Sequence, residues 1–312
     1  MNLGVPLGLS SGLCWGAADF FGGMQSRRLP ALTVAFWSQV AGALGLAAAL
    51  AASGTRPTAA GVAWGVVAGA GSGCALVLFY RGLAEGTMSI VAPVSACGAV
   101  VPVAAALLTG HRPGALAGLG VITAITGVVL VSRPRPAGGR ERAPGAPDDP
   151  GAASPDPGTA PPGPGAPDGA GRSRRVLLMA LGSALGFGLF YVFVDAGTTG
   201  SQSEPLWVIA GARASSLVML STIALVGNRS ALRWPGRRIG PVALVGVGDT
   251  GANLLFAYAA TTGNLAVVGV LGSLYPVATV VLARWLLGER LSGGQNAGVA
   301  LALTGVGLLA AA

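Results

Sequence analysis

The chain has 312 residues, of which 52% are hydrophobic and 10% are charged. Soluble domains carry roughly 25% charged residues, so this chain has too few charges to cover a water-facing surface. Its net charge of +8 comes from arginines that lie mainly between long apolar segments, where membrane proteins keep them, and this excludes a nucleic-acid-binding surface. The chain has no lysine and one histidine, which excludes a Walker-type ATPase and a multi-histidine metal site.

Ten apolar segments follow one another along the chain, each long enough to cross a bilayer. A hydrocarbon core of about 30 Å requires about 20 apolar residues in a helix. Turn and charge signals, such as those at 27–30 and 112–113, separate the segments. Because backbone groups cannot stay unsatisfied in lipid, we expect an all-α membrane protein with ten transmembrane helices. The predicted spans are 3–24, 31–52, 59–83, 88–109, 114–132, 176–196, 206–227, 239–260, 265–287 and 293–311.

Residues 133–175 differ from the rest of the chain in composition. The segment is rich in proline, glycine and arginine, with a Pro-Pro-Gly-Pro-Gly run at 161–165, and it contains no large apolar residue. Such a segment cannot bury a core, so we expect a disordered linker. The predicted organisation is therefore a five-helix unit at 1–132, the linker at 133–175 and a second five-helix unit at 176–312.

The two predicted units are similar in sequence. A shift of the first half by 178 positions carries Tyr80 onto Tyr258 and superposes two short motifs. The superposed motifs are Gly110-His111-Arg112 with Gly288-Glu289-Arg290, and Thr126-Gly127-Val128 with Thr304-Gly305-Val306. Because five is odd, the second unit must enter the membrane in the opposite sense to the first. The resulting inverted repeat is a transporter architecture, in which two similar halves can rock about a site near the midplane.

Short motifs near both ends of the chain carry a family resemblance. They are Cys14-Trp15-Gly16 at the start, and Leu286-Leu287-Gly288-Glu289-Arg290 followed by Gly298 and Thr304-Gly305-Val306 at the end. Together with the two five-helix units, they resemble the EamA branch of the drug/metabolite transporter superfamily over nearly the whole chain except the linker. The first half departs from the motif, because Gly110-His111 stands where a Gly-Glu pair is expected. The resemblance implies a ten-helix secondary transporter, often an exporter of metabolites or amino acids.

The arginines are unequally distributed between the loops. Loops after odd-numbered spans hold most of them, including Arg27 and Arg28, whereas loops after even-numbered spans hold little beyond Arg56 and Arg112. The positive-inside rule then places the odd loops in the cytoplasm and both termini outside. Members of the resembled family are drawn with cytoplasmic termini instead. Both orientations place the two termini on the same side of the membrane.

Charged and polar side chains inside the predicted spans are the first candidates for function. Asp19, Arg213, Asp249 and Asn253 lie at or near membrane depth, where a charge costs about 2.5–3.5 kcal/mol and therefore tends to face a cavity or a partner. Helical spacing puts Asp249 and Asn253 on one face, and Trp15 and Asp19 on another. We expect Asp249 to line a central cavity and either to pair with Arg213 or to take part in proton coupling. A purely structural ion pair is the alternative.

Aromatic residues are the second set of candidates. Rings in the spans can stack on a substrate or donate hydrogen bonds to it, whereas anchoring at the membrane interface is the alternative role. The predicted substrate-contacting rings are Trp15, Tyr80, Tyr191, Tyr258 and Tyr275.

Glycines recur at four-residue spacing on two of the predicted helices. Such ladders let helix backbones approach closely, either as static packing or as a sliding surface during transport. The predicted packing glycines are Gly8, Gly12 and Gly16 in the first span, and Gly61, Gly65, Gly69 and Gly73 in the third.

These observations favour a multi-pass protein of the cell membrane that acts as a secondary transporter. We expect alternating access, a small metabolite, amino acid or drug-like substrate, export as the direction, and energy from an ion or substrate gradient, with a proton as one candidate ion. The expected partners are the lipid bilayer and the substrate, with no nucleic acid and no cofactor, in a monomer or homodimer. An intramembrane enzyme would need clustered catalytic side chains at one depth, and a scaffold or sensor protein would lack a central cavity; both remain alternatives.

Overall fold

The computed structural model describes residues 3–108, 114–131, 167–200, 204–227, 229–262 and 275–311. All regular secondary structure in these ranges is helical. The first half contains α1 (Gly4–Ser26), α2 (Ala31–Ser53), α3 (Ala59–Glu85), α4 (Met88–Ala96), α5 (Val100–Leu108) and α6 (Ala115–Val131). The second half contains α7 (Pro167–Asp195), α8 (Pro205–Gly227), α9 (Ile239–Thr262), α10 (Tyr275–Leu287) and α11 (Gly293–Ala310).

The connection between α2 and α3 shows how local sequence sets the helix ends. Gly54 follows α2 with φ of 64°, a left-handed conformation that glycine adopts without steric cost and that closes helices. Thr58 precedes α3, and its Oγ1 accepts a hydrogen bond of 3.2 Å from the backbone N–H of Gly61. This N-cap satisfies one of the amide groups that a helix start leaves free. The predicted turn therefore carries both a stop and a start signal.

The length and composition of the helices confirm an all-α membrane fold. Five apolar helices in the described ranges are long enough to cross a bilayer by themselves, and two shorter ones are also apolar. The five are Ala31–Ser53, Ala59–Glu85, Gly171–Thr198, Pro205–Gly227 and Gly236–Phe256, and the shorter two are Ala115–Leu130 and Tyr275–Leu287. The count of ten spans stays a prediction, since the fourth predicted span is divided and the ninth lies partly outside the described residues.

The outer surface of the bundle is apolar. Leu44, Val226 and Trp285 are 70%, 85% and 84% exposed, and many other large hydrophobic side chains point outward with them. Fully buried Phe20, Phe79 and others form the core inside. Soluble monomers rarely expose contiguous apolar surface on this scale, whereas a bilayer solvates it.

The fourth predicted span is not one continuous helix. It consists of α4, a 3₁₀ turn at Cys97–Ala99 and α5. Pro93 lies inside α4 and Pro102 inside α5, and proline has no N–H to donate to the preceding turn. The Cys97 thiol donates to the Pro93 carbonyl at 3.4 Å, which gives that carbonyl a partner beside the break. The expectation of a single helix over 88–109 is therefore corrected, and the prolines explain the break.

The predicted linker is shorter than expected at its C-terminal end. Helix α7 begins at Pro167, so residues 167–175 are helical. Two arginines tie this first part of α7 to the end of α3: Arg172 donates to the Glu85 carbonyl oxygen at 2.9 Å, and Arg175 pairs with the Glu85 carboxylate at 3.8 Å. The helix thus begins before its apolar segment and includes these arginines. Positions 133–166 of the predicted linker lie outside the described residues.

The two halves pack against each other in a reciprocal pattern. Helix α3 packs on α7 and α8, and its counterpart α9 packs on α1 and α2. Helices α6 and α11 also pair, with Gly127 against the backbone of Ala302 and Gly305 against the backbone of Ala124. Each of these residues reaches its counterpart by the same shift of 178 positions that aligns the two halves. The layout therefore fits two five-helix repeats, while their opposed orientation in the membrane stays a prediction.

Contacts between loops occur at both ends of the helix bundle. At one end Arg27, which follows α1, pairs with Glu289, which follows α10, at 3.5 Å. At the other end the indole N–H of Trp207, at the start of α8, donates to Thr55 Oγ1 in the α2–α3 connection at 3.1 Å. The first contact joins two loops that follow odd-numbered predicted spans, and the second joins two loops that follow even-numbered spans. This is the arrangement expected when successive helices run up and down through the bundle.

Candidate functional site

A buried arginine occupies the meeting point of three helices. Arg213 lies in α8 and is 7% exposed. Its Nη1 donates to Gln39 Oε1 of α2 at 2.6 Å, and its Nη2 donates to Asp249 Oδ2 at 2.8 Å and to Thr250 Oγ1 at 3.2 Å, both on α9. A charge at this depth requires a counter-charge and further hydrogen bonds, and Arg213 has both.

Small residues make room for this arrangement. The Arg213 guanidinium carbon lies 3.4 Å from the point where a side chain on Gly42 would begin, and the Thr250 hydroxyl is closer still. Next to it, Gly246 of α9 lies against the backbone carbonyl of Ser38 on α2. Because α2 and α9 approach backbone to backbone, Gln39, Asp249 and Thr250 can reach the same guanidinium.

The two partners of the ion pair differ in exposure. The Asp249 side chain is 34% exposed, whereas Arg213 is 7% exposed. Open space therefore reaches the carboxylate, and the guanidinium lies behind it. Asn253 is one turn further along α9, and its Nδ2 donates to the Asp249 backbone carbonyl at 2.7 Å and leaves the carboxylate untouched. The structure thus pairs Asp249 with Arg213, the first of the two roles expected for it.

Asp19 of α1 lies across from this pair. The Ser11 hydroxyl donates to the Ala252 carbonyl at 2.8 Å, and Ala18 is 3.7 Å from the point where a Gly248 side chain would begin, so α1 and α9 are in direct contact here. Because Ala18 and Gly248 precede Asp19 and Asp249 in sequence, the two aspartates lie on facing turns of α1 and α9. Within the described part of the chain, the Asp19 carboxylate has no hydrogen-bond or ion-pair partner. We call Asp19, Gln39, Arg213, Asp249 and Thr250 the central polar cluster.

Three aromatic rings adjoin the central polar cluster. Trp15 lies one turn before Asp19 on α1, with its ring centroid 5.6 Å from that of Phe256 and 6.5 Å from that of Tyr275. All three side chains are partly buried. We call Trp15, Phe256 and Tyr275 the aromatic group. It places an apolar surface one helical turn from Asp19.

The other predicted tyrosines have different surroundings. Tyr80 is 3% exposed and its ring lies against Gly22, so it packs in the core. Tyr191 of α7 is 43% exposed. Tyr258 lies in α9, and its side chain is outside the described residues.

The glycine ladders pack helices from opposite halves. On α3, Gly65 and Gly69 lie against the backbone carbonyls of Val208 and Ala212 of α8, and Gly73 adjoins Ser216. On α1, Gly16 lies against the Tyr275 carbonyl, and the Thr279 hydroxyl donates to the Gly16 carbonyl at 3.0 Å. The remaining predicted packing glycines, Gly8, Gly12 and Gly61, are buried.

Sequence reasoning missed several residues of the site. Gln39, Thr250 and Phe256 were not predicted, although an amide inside an uncharged span was a usable signal for Gln39. Glu289 was noted only as part of a motif. Its carboxylate accepts hydrogen bonds of 2.9 Å from the backbone N–H groups of both Met88 and Ser89, and so it caps the start of α4.

Among the described residues, no group of three histidine, cysteine or acidic side chains is placed to hold a metal ion.

The comparisons with known proteins agree with this architecture. The sequence model of the EamA-like transporter family matches residues 2–133 and 174–311. No curated protein matches the chain in sequence. One solved crystal structure is 18% identical, with a TM-score of 0.59 over 98% of this chain and 95% of that chain. At that identity, the likeness concerns the fold alone.

Proposed function

Because the chain belongs to the EamA-like transporter family of the drug/metabolite transporter superfamily, we propose that it carries a small molecule across the cell membrane as a secondary transporter. The observation that carries this proposal is the central polar cluster, in which a buried arginine holds a partly open carboxylate. Helices α1 and α2 of the first half and α8 and α9 of the second half supply its residues. A site built from both halves is the arrangement that alternating access requires.

The proposed machinery consists of two inverted five-helix units at 1–132 and 176–312, which give ten spans in total. The reciprocal packing of α3 with α9, and of α6 with α11, supports this assignment. In such an arrangement the halves rock about the central polar cluster and expose it to one side at a time. The chain acts as a monomer or homodimer in this proposal, and its physiological direction is export.

Energy for transport comes from an ion or substrate gradient in this proposal. The chain has no lysine from which to build a Walker motif. A carboxylate at membrane depth is costly to keep charged and is therefore suited to bind and release a proton or a cation. Asp249 and Asp19 are the two residues of the cluster that can fill this role.

A flux experiment in proteoliposomes tests the proposal. The panel consists of amino acids, nucleosides and cationic drugs, each measured with and without a pH gradient. We expect uptake of at least one compound, and a loss of about tenfold or more in Asp249→Asn, which corresponds to about 1.4 kcal/mol of barrier. Glu85→Gln serves as the control, because Glu85 pairs with arginines at a helix end.

The possible results separate the candidate functions. Unchanged flux and unchanged pH dependence in a monodisperse Asp249→Asn protein would remove Asp249 from the mechanism. Flux at the protein-free level for every compound would favour the scaffold alternative over transport. Chemical conversion of a panel compound by the purified protein would favour the intramembrane enzyme.

A further inference from the structure

The connection between α8 and α9 carries positive charge that no acidic side chain balances. We call residues 229–238 the basic connection; its charged residues are Arg229, Arg233, Arg237 and Arg238. The sequence has no acidic residue from 205 to 248. Within the described ranges none of the four arginines pairs with a carboxylate, whereas other arginines at the same end of the bundle pair with Glu85 or Glu289. The basic connection therefore presents its charge to partners outside the described fold.

The backbone of the basic connection is held in place against α2. The indole N–H of Trp37 in α2 donates to the Arg233 carbonyl at 3.1 Å, and the Trp37 ring meets the Trp234 ring edge to face with centroids 5.0 Å apart. Ala231 is buried beneath this contact. The side chains of Arg229, Arg233 and Arg237 are exposed, and that of Arg238 is half-buried. An anchored backbone thus keeps the arginines together on the outside.

The first half of the chain joins the equivalent helices without such a cluster. The shift of 178 positions that aligns the halves carries the basic connection onto the α2–α3 connection. Only residues 54–58 lie between α2 and α3, whereas residues 228–238 lie between α8 and α9. The shorter connection contains one arginine, Arg56, and no tryptophan. Because the fold joins two such helices without them, the four arginines and Trp234 have another role.

The basic connection lies at the edge of the apolar part of the bundle. The apolar helices on either side are Pro205–Gly227 and Gly236–Phe256. Next to the arginines, Val226 of α8 points outward into lipid, and the Trp234 side chain is 62% exposed. Tryptophan is typical of the boundary between lipid and water, which is the level of the phospholipid headgroups. The planar guanidinium group of arginine matches the oxygen atoms of a phosphate group, to which it donates two hydrogen bonds.

We propose that the basic connection is a binding site for the headgroup of an anionic phospholipid. The exposed arginines bind the lipid phosphate, and Trp234 lies beside the upper part of the acyl chains. A zwitterionic lipid presents the same phosphate next to a cationic group, so the site favours the lipid with net negative charge. This inference goes beyond the proposed function and does not rest on it, because a lipid can bind here whether or not the chain transports a solute.

Quenching of Trp234 fluorescence in vesicles tests the lipid preference. The full chain is reconstituted in phosphatidylcholine that contains a small fraction of phosphatidylglycerol or phosphatidylcholine with brominated acyl chains, and the signal of Trp234 is the difference between wild type and Trp234→Phe. One arginine at a membrane surface contributes about fivefold in affinity, so we expect at least fivefold tighter binding of phosphatidylglycerol. Equal quenching by the two brominated lipids would overturn the proposal.

A second tryptophan serves as the matched control for position. Trp64 lies in the second turn of α3, near the opposite end of the bundle, and its side chain is 38% exposed. The difference between wild type and Trp64→Phe gives its signal in the same vesicles. We expect both brominated lipids to quench Trp64 equally. An equal preference for phosphatidylglycerol at Trp64 and Trp234 would assign the effect to the net charge of the whole protein and would contradict a site at the basic connection.

Variants of the arginines identify the groups that bind the lipid. The double variant Arg233→Gln with Arg237→Gln should lose most of the preference at Trp234, and full retention would refute the assignment. The same positions changed to lysine keep the charge and should retain most of it, which separates a lost charge from a damaged fold. Arg81→Gln is the control at the same end, because Arg81 already pairs with Glu85 at 3.6 Å. It should leave the preference unchanged.

A soluble phosphate compound is the other source of the same chemistry. The quenching experiment is therefore repeated with excess glycerol phosphate, at an ionic strength matched with sodium chloride because salt screens exposed charges. We expect the preference for phosphatidylglycerol to persist, since the acyl chains hold the lipid headgroup at the site. Loss of the preference in glycerol phosphate but not in sodium chloride would assign the arginines to a soluble phosphate compound and overturn the lipid as the partner.

Discussion

At the scale of single residues, the ion pair between Arg213 and Asp249 joins α8 to α9 inside the bundle. Its two members are unequal, because Arg213 is 7% exposed and Asp249 is 34% exposed. Removal of one partner of a buried pair is costly since it strands the other charge, by about 3–5 kcal/mol when burial is complete. The cost therefore depends on which of the two charges is left alone.

This asymmetry predicts the outcome of a double-mutant cycle. Asp249→Asn leaves the buried guanidinium without its counter-charge, so we expect it to destabilise the protein more than Arg213→Gln, which leaves the partly solvated carboxylate. The double variant should lose less stability than the sum of the two single losses, with a coupling of about 0.5–3 kcal/mol. Thermal unfolding in detergent measures all four proteins. Additive losses would show that the two groups do not interact.

The pairing could be predicted at this scale only as one of two alternatives. Arg213 and Asp249 stood out in the sequence because each is charged inside an apolar span, and charges in lipid need partners. Gln39 did not stand out, because an uncharged amide costs less free energy in lipid than a charge does. Its contact with Arg213 also joins the two halves of the chain, which local sequence does not show. Which rings stand near Asp19 is likewise decided by helix packing and not by spacing along one helix.

At the scale of helices, close backbone contact holds the halves together. The α3–α8 interface has Gly65 and Gly69 on one side and the backbone at Val208 and Ala212 on the other. Without a hydrophobic driving force between helices in lipid, packing at short distance supplies much of the attraction. The interface therefore depends on the absence of a side chain at particular positions.

A pair of substitutions on α3 tests this dependence. A methyl group at Gly69 would overlap the Ala212 carbonyl and the Ser215 hydroxyl, whereas a methyl group at Gly71 would meet nothing within 4 Å. We expect Gly69→Ala to destabilise the protein by about 1–3 kcal/mol through overpacking. Gly71→Ala should be neutral or stabilising, because alanine favours helix by about 1 kcal/mol. Equal unfolding temperatures for the two variants would refute the packing role of Gly69.

Helix existence was predictable, but several helix ends were not. Apolar length indicated the spans, and the structure confirms long apolar helices at five of the ten and shorter apolar helices at two more. Pro93 and Pro102 lie in the fourth span, but their places in the sequence do not fix where the helix breaks. Contacts of Arg172 and Arg175 with Glu85 join the first part of α7 to α3, and Glu289 caps the start of α4. Such contacts between distant segments are invisible to a reading of local composition.

At the scale of the whole molecule, the two halves exchange equivalent contacts. Helices α3 and α9 each pack on the first two helices of the other half. Gly127 of α6 packs on Ala302 of α11, and the equivalent Gly305 of α11 packs on the equivalent Ala124 of α6. The central polar cluster draws its residues from both halves and lies where they meet. A relative movement of the halves would therefore change the access to Asp19 and Asp249. Because the central polar cluster is shared between two similar halves, a carrier is the function that we propose for this fold.

Counterflow in proteoliposomes is the most direct measurement of whether this chain is a carrier. Vesicles are loaded with an unlabelled compound of the flux panel and diluted into a trace of the same compound carrying a label. A site that faces one side at a time exchanges the two, so label should accumulate transiently inside wild-type vesicles for at least one compound, and not inside protein-free vesicles. Equal label in both kinds of vesicle across the whole panel would contradict transport by this protein.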